Sequence, residues 1–449
     1  MTTSELFARY DVPVPRYTSY PPVPHWHDTP TPEAWLASVR AAVSAEDTAL
    51  AVYVHVPFCE SLCTFCGCNT VITRNHDHER PYVNLVLAEL DRYLEAVPEL
   101  ARRPVRQLHI GGGTPTFLSP DILGALSEGI QRRLPLRSTA FEASLEADPR
   151  VTSAAHLETL AAHGFRRISF GVQDIDPDVQ RLVNRRQPLE LTADLCDNAR
   201  RLDFDSINVD VIYGLPGQTP ASMRLLADAL VGLAPDRLAV YGFARVPWIK
   251  PAQRKFRDDQ IPSGADKRAL AEIIRLRLLG DGYIEIGMDH YARPADALAR
   301  AAAGGTLHRN FMGYADLRTD VLLGLGVSAI SETPDCYHQN EKVLPVYQRR
   351  VEAGETPTHR GHRLTSRERK RRDQILALMT AFDAPLDPGE ADDARRFLAL
   401  LVEDGLVEID DARMRVTSRG RPFLRNIAAF FDDAYRRERP AAPVFSRSI

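Results

Sequence analysis

Between residues 50 and 290, short apolar runs alternate with stretches whose apolar residues recur every three or four positions. "ALAVYVHVPF" reads as a buried strand and "YVNLVLAELDRYLEAV" as an amphipathic helix. The theme repeats in "VRQLHIGGG" with "SPDILGALSEGIQRRL", "FEASLEADP" with "SAAHLETLAAHG", and "RRISFGVQD" with "TADLCDNARRLDF". It continues in "SINVDVIYGLP" with "ASMRLLADALVGL" and in "DRLAVYGFARVP" with "DKRALAEIIRLRLLGDG", which makes six strand–helix units. "YIEIGMDHY" predicts one further strand. Ser119 is the expected cap of the helix that opens at Pro120, and Gly164 the expected stop of the next.

Near-continuous apolar strands separated by helices build a parallel sheet covered by helices. Six units fall short of the eight of a closed barrel. The chain is therefore predicted to be α/β, with a partial, open (β/α)6 barrel over residues 46–340. Ligands collect at the carboxyl ends of the strands in such folds. The distinctive residues fall there: four cysteines after the first strand, "GGGTP" after the second, Glu146 in the third, Gln173 after the fourth, Asp210 in the fifth and Ala244 after the sixth.

Both ends of the chain differ. Residues 1–45 form a proline-rich arm that also carries Tyr10, Tyr17, Tyr20, Trp26 and Trp35. Disordered segments are poor in aromatics, so the arm is expected to pack across the barrel as a lid. Residues 360–449 read as a smaller, mainly helical domain of winged-helix type, opened by a Thr365/Glu368 capping box. Its basic run, Arg367, Arg369, Lys370, Arg371 and Arg372, reads as a solvated helix face. With a net charge of -4 over 449 residues, the chain lacks the basic footprint of a nucleic-acid binder.

The longest clean apolar run is "VLLGLGVSAI", well short of a membrane span. The first residues show no basic start followed by an apolar stretch, so a cytoplasmic location is expected. That bears on the cysteines. "HVPFCESLCTFCGCN" crowds four of the six into ten positions. In a reducing compartment such crowding signals metal or redox chemistry. The spacing Cys59-x3-Cys63-x2-Cys66 places three soft ligands on one tight loop, which suits an iron–sulfur cube. A structural zinc site more often uses two separated C-x2-C pairs. Three ligands leave one iron open. Cys68 is either a fourth ligand or a non-ligand, and its C-x-C spacing to Cys66 favours the second.

This loop, with Phe65 before its third cysteine, resembles the signature of the radical S-adenosylmethionine enzymes. "PRYTSYP", "CGCN", "GGGTPTFL", "SLEADPR", "DVIYGLPGQTP", "GMDHYARP" and "HRNFMGY" together resemble, in order, the oxygen-independent coproporphyrinogen III oxidases. The resemblance implies one [4Fe-4S] cluster on Cys59, Cys63 and Cys66, and two S-adenosylmethionine molecules. Tyr53, Gly112, Glu146 and Ile330 would line the first molecule. Phe65, Gly113, Thr114, Gln173, Arg185, Asp210 and Ala244 would line the second. Tyr53, Glu146, Phe311 and Ile330 would serve catalysis.

The implied reaction is oxidative decarboxylation of two propionates of coproporphyrinogen III to vinyl groups, by a monomer fed by an unidentified electron donor. Arg16, Arg245, Arg293 and Arg309 are candidates for the substrate carboxylates, and His290 for a further contact. Met312 stands where the family commonly has glutamine, so an amide's hydrogen bonds next to Phe311 are not expected here. The alternatives are a haem-binding or haem-delivery paralogue, another radical enzyme acting on tetrapyrroles, and an iron–sulfur DNA-binding regulator.

Overall fold

A computed structural model describes residues 3–262, 264–437 and 445–448. Residues 1–2 of the arm, and 438–444 and 449 of the C-terminal segment, lie outside the described residues. Strands β1 (Leu50–Val56), β2 (Val105–Gly112), β3 (Arg137–Ala147), β4 (Arg167–Gln173), β5 (Ser206–Tyr213) and β6 (Arg237–Gly242) lie side by side and parallel. Helices Glu79–Ala96, Pro120–Arg133, Ala154–Ala162, Leu189–Arg201 and Pro220–Leu233 make the crossovers, and Gly264–Gly280 follows β6. Along β1 every residue but Tyr53 is buried, because helices cover one face and the barrel interior the other.

The sheet continues past both ends of this core. "YIEIGMDHY" forms two short strands, not one: β7 (Ile284–Ile286) and β8 (His290–Ala292), a hairpin antiparallel to β6. The apolar run after residue 320 supplies β9 (Val321–Leu325), which lies parallel to β1 on its outer side. β10 (Ile330–Glu332), β11 (Cys336–Asn340) and β12 (Thr358–Arg363) extend this side antiparallel. The twelve strands run β12-β11-β10-β9-β1-β2-β3-β4-β5-β6-β8-β7, and β12 and β7 do not pair, so the barrel is open.

Ser119 occupies the expected capping position, but its side chain does not cap. Its N–H and hydroxyl both donate to Glu79 Oε2, at 2.9 and 2.8 Å, tying two crossover helices together. Gly164 takes φ +83° just past helix Ala154–Ala162, as a helix stop requires.

The arm does not stand apart. Leu6, Phe7, Tyr10, Tyr17 and Tyr20 share one apolar core with the C-terminal segment, including Phe423, Phe430 and Phe431. Trp26 stacks on Tyr337 of β11 at 5.2 Å, and the Trp35 indole donates to Tyr93 Oη at 2.8 Å. The C-terminal segment pairs β13 (Asp383–Pro385), β14 (Val407–Ile409) and β15 (Arg413–Val416) in a three-stranded antiparallel sheet beside helix Ser366–Ala381. The Thr365/Glu368 capping box opens that helix. Its basic face is not merely solvated. Arg367 pairs with Asp433, Lys370 with Asp387, Arg371 with Glu390 and Arg372 with Glu332.

Candidate active site

The cysteine loop leaves β1 at Pro57 and is pinched at its base. Phe58–Cys59 pairs in parallel with Val71–Ile72, and the N–H groups of Val71 and Thr73 donate to the carbonyls of Pro57 and Cys59. Within the loop the Cys66 N–H donates to the Cys63 carbonyl at 3.1 Å. Thr114 Oγ1 lies 3.3 Å from Cys59 Sγ. The Cys68 side chain and N–H both hydrogen-bond Cys66, which lowers the Cys66 thiol below its usual value, whereas burial pushes Cys59 up to about 11. Cys68 thus acts as a donor to Cys66 in this geometry. Among the described residues no three His, Cys, Asp or Glu side chains are gathered for a single metal ion. A zinc site would need its sulfurs about 4 Å apart. The thiolates of a cube bind separate irons and do not.

The loop faces a cavity of about 400 Å³ at the carboxyl ends of the strands. Cys59, Cys63 and Cys66 line it. On the floor, Gly112 N–H donates to Glu146 Oε2 at 3.0 Å, and His109 Nε2 lies 3.5 Å from Oε1. Burial would raise the Glu146 carboxyl, but His109 and Gly112 hold it below its usual value. Gly113 is needed for a close approach: a Cβ there would fall 2.6 Å from the Pro57 carbonyl oxygen. Asp210 accepts from Ser169 Oγ and from Asn208 Nδ2, each at 2.8 Å, and burial raises its carboxyl to about 6. Gln173, Thr114, Ala244 and Phe65 complete the wall.

Arg185 is buried against this wall. It donates through Nη2 to the Gly171 carbonyl at 2.6 Å and through Nη1 to Asp148 at 2.9 Å. Its Nε is buried without a partner, the kind of orphan that a polar ligand in the cavity would satisfy. The soft donor set, the opening beside it and this orphan fit a cube with a polar cosubstrate next to it.

A family model described as the Radical SAM superfamily matches residues 53–230. The chain is 40% identical over 455 residues to the oxygen-independent coproporphyrinogen III oxidase of Escherichia coli (strain K12), covering 99% of this chain and 98% of that one. It is 37% identical over 461 residues to the relative of that name from Synechocystis sp., covering 100% and 98%. The solved structure of the Escherichia coli coproporphyrinogen III oxidase, titled a radical SAM enzyme, matches with a TM-score of 0.86 at 41% identity, covering 93% of this chain and 97% of that one. The chain belongs to the oxygen-independent coproporphyrinogen III oxidase family. Radical SAM membership brings with it a [4Fe-4S] cluster and S-adenosylmethionine.

Not every residue suggested by the family motifs lines the cavity. Tyr53 stands beside it: its hydroxyl is 3.0 Å from His55 Nδ1, and its ring stacks on His109 at 5.9 Å. Ile330 is two strands out from Tyr53, on β10. Tyr53 pairs with Gly324 of β9, where a Cβ would meet the Ile330 carbonyl oxygen at 2.4 Å. Phe311 packs edge-on to Trp26 and Tyr337, at 5.9 and 5.6 Å, within the cluster that anchors the arm. Met312 leaves its N–H on Asn310 Oδ1.

Of the candidate arginines, Arg16 lines the cavity from the arm, lies 5.5 Å over the Tyr241 ring and pairs with Asp289. Arg309 is buried over Tyr314 at 4.5 Å with its Nε unpartnered. Arg245 pairs with Asp258 on a loop. Arg293 is at the wrong end of the sheet: its N–H donates to the Asp236 carbonyl at the start of β6, and its guanidinium stacks on Tyr283 at 3.9 Å. It does not line the cavity and is not placed to receive a substrate carboxylate there. His290 holds Asp289 through Nδ1 at 2.7 Å, so it orients the partner of Arg16.

Sequence reasoning passed over Gln253, which donates to the carbonyls of both Phe65 and Ala244 and so clips two walls of the cavity together. Asp148 and Arg150 were also passed over, although both stand inside the quoted "SLEADPR". Such contacts join distant loops and have no periodic signature.

Proposed function

We propose that this chain converts coproporphyrinogen III to protoporphyrinogen IX by oxidative decarboxylation of two propionate side chains to vinyl groups, in porphyrin and haem biosynthesis. The observation that carries this reading is the convergence of three cysteines with Glu146, Asp210 and Arg185 on one cavity at the strand ends of a full-length family member.

Cys59, Cys63 and Cys66 hold the cluster, and the Cys68 thiol supports Cys66 by hydrogen bonding. When bound, the reduced cluster and S-adenosylmethionine supply the oxidant that removes hydrogen from the carbon next to the pyrrole. Glu146 receives the ammonium of the cosubstrate nearest the cluster, because its carboxylate is kept ionised by Gly112 and His109 and remains half exposed to the cavity. Gly112 lies beside it, with Tyr53 and Ile330 flanking. A second S-adenosylmethionine takes the wall formed by Phe65, Gly113, Thr114, Gln173, Arg185, Asp210 and Ala244, which supports two molecules by offering a second carboxylate and a guanidinium there. Arg16 and Arg309 receive substrate carboxylates. The arm, carrying Arg16 and buttressed by Trp26 on Tyr337 and Phe311, shields the reacting carbon from water. The chain acts as a monomer served by an external one-electron donor.

The test is anaerobic. Cluster-loaded protein, reductant, S-adenosylmethionine and coproporphyrinogen III should release carbon dioxide and 5′-deoxyadenosine. Tight haem binding with neither product would favour the haem-delivery alternative.

A further inference from the structure

Two guanidinium groups converge on one cysteine sulfur. Arg150 Nη2 and Arg185 Nη1 each lie 3.5 Å from Cys63 Sγ, within hydrogen-bonding distance for sulfur. The same two nitrogens donate to Asp148 Oδ2, at 2.6 and 2.9 Å. Arg150 adds a bond from Nε to Asp148 Oδ1 at 3.0 Å and one from Nη1 to Ser61 Oγ at 3.2 Å. Asp148 and Arg185 are buried, and Arg150 is mostly so.

The frame around this clamp is fixed. The Thr152 hydroxyl donates to the Asp148 carbonyl at 2.8 Å, holding the turn after β3. Asn184, next to Arg185, donates to the Leu62 carbonyl at 2.8 Å, and Thr64 N–H donates to the Val183 carbonyl at 3.0 Å. The segment carrying Arg185 is therefore anchored against the cysteine loop itself, and the turn carrying Arg150 is held by its own internal bond. Two guanidiniums against one carboxylate leave a net charge of +1 beside Cys63. An ion pair alone would need neither nitrogen to reach the sulfur.

We infer that Arg150, with Asp148 as its counter-charge, sets the reduction potential of the cluster bound through Cys63. The inference rests on the proposed cluster. The step concerned is the gain of one electron by the cube from a low-potential reductant, with no protein bond made or broken. The added negative charge is stabilised by N–H groups and positive charge at the ligand sulfur, which raises the potential. Arg150 is thus a positioning residue that acts through Cys63. Arg185 shares the contact but also faces the cosubstrate wall, so Arg150 is the cleaner probe.

The experiment is an anaerobic dye-mediated redox titration of the reconstituted full chain without S-adenosylmethionine, reading the electron paramagnetic resonance signal of the reduced cluster. Only loaded molecules contribute, so partial loading does not blur the result. Arg150→Gln removes the charge and should shift the midpoint negative, with Arg150→Lys falling between it and wild type. Asp148→Asn leaves both guanidiniums unopposed and should shift the midpoint positive. Opposite signs from two neighbouring substitutions are what a loss of structure does not produce. If Asp148→Asn takes up no cluster, the order Arg150→Gln below Arg150→Lys below wild type decides alone. Equal midpoints in loaded wild type and both Arg150 variants would overturn the inference. A wild-type protein that takes up no cluster would instead overturn the cluster reading beneath it.

Discussion

The N–H of Gly112 and the carboxylate of Glu146 join the ends of β2 and β3 at 3.0 Å, directly under the cysteine loop. The glycine is held by the strand pairing and the carboxylate by the glycine, so a charged acceptor stands fixed in the cavity before any ligand arrives. Charge-assisted hydrogen bonds of this sort are worth about 1.5–3 kcal/mol. Glu146→Gln should therefore weaken S-adenosylmethionine binding roughly 10- to 100-fold while leaving iron content unchanged. Equilibrium dialysis with labelled cosubstrate, beside an iron assay, checks both. Unchanged affinity would remove Glu146 from the cosubstrate site.

The four cysteines should separate cleanly. Cys59→Ser, Cys63→Ser and Cys66→Ser each remove a ligand and should lose most of the iron and sulfide on anaerobic reconstitution. Cys68→Ser keeps a hydrogen-bond donor and should retain the cluster, as should Met312→Gln. A Cys68→Ser protein without iron would make Cys68 a ligand.

Gly113→Ala places a methyl 2.6 Å from the Pro57 carbonyl oxygen, where backbone must move. Overpacking of this kind costs about 1–3 kcal/mol. The expected result is a lower denaturation midpoint and a poorly loaded cluster, because Pro57 opens the cysteine loop. A variant with wild-type stability and loading would show that the loop absorbs the strain.

Glu89 sits buried in the crossover helix Glu79–Ala96 and accepts from Gly326 N–H, Tyr347 Oη and Asn340 Nδ2 at 2.8, 2.7 and 2.6 Å. Burial raises its carboxyl from 4.5 to about 7. The folded chain then binds more protons than the unfolded one between those two values. Its contribution is most favourable below pH 4.5 and is lost as pH rises toward 7, by about 1.4 kcal/mol per pH unit. Glu89→Gln should flatten that part of the profile, whatever its absolute stability. Denaturant unfolding at pH 5 and pH 8 reads it, and identical slopes in the two proteins would place the titration elsewhere.

What was legible in the chain follows from what repeats. Buried parallel strands are apolar on both faces and their crossover helices carry a 3.6-residue period, so the six units stand out. β10 is only three residues long and leaves no comparable trace, and β7 and β8, equally short, read as a single strand because the hairpin turn between them has no periodic signature. The cysteines are readable because one tight loop presents all three proposed ligands within eight positions. Asp148 and Arg185 are 37 residues apart and meet only because β3 and β4 end side by side. Glu89 looks like any acidic helix residue until Gly326, Asn340 and Tyr347, more than two hundred positions later, close around it. Ser119 had the right residue type for a cap, yet Glu79 offered its hydroxyl a better partner.

The most direct test of the account is the Mössbauer spectrum of anaerobic protein reconstituted with iron-57, recorded with and without S-adenosylmethionine. Three thiolate-held irons and one distinct corner whose isomer shift changes when the cosubstrate is added are the expected result. A cube with four equivalent corners that ignores S-adenosylmethionine, or zinc bound in its place, would contradict it.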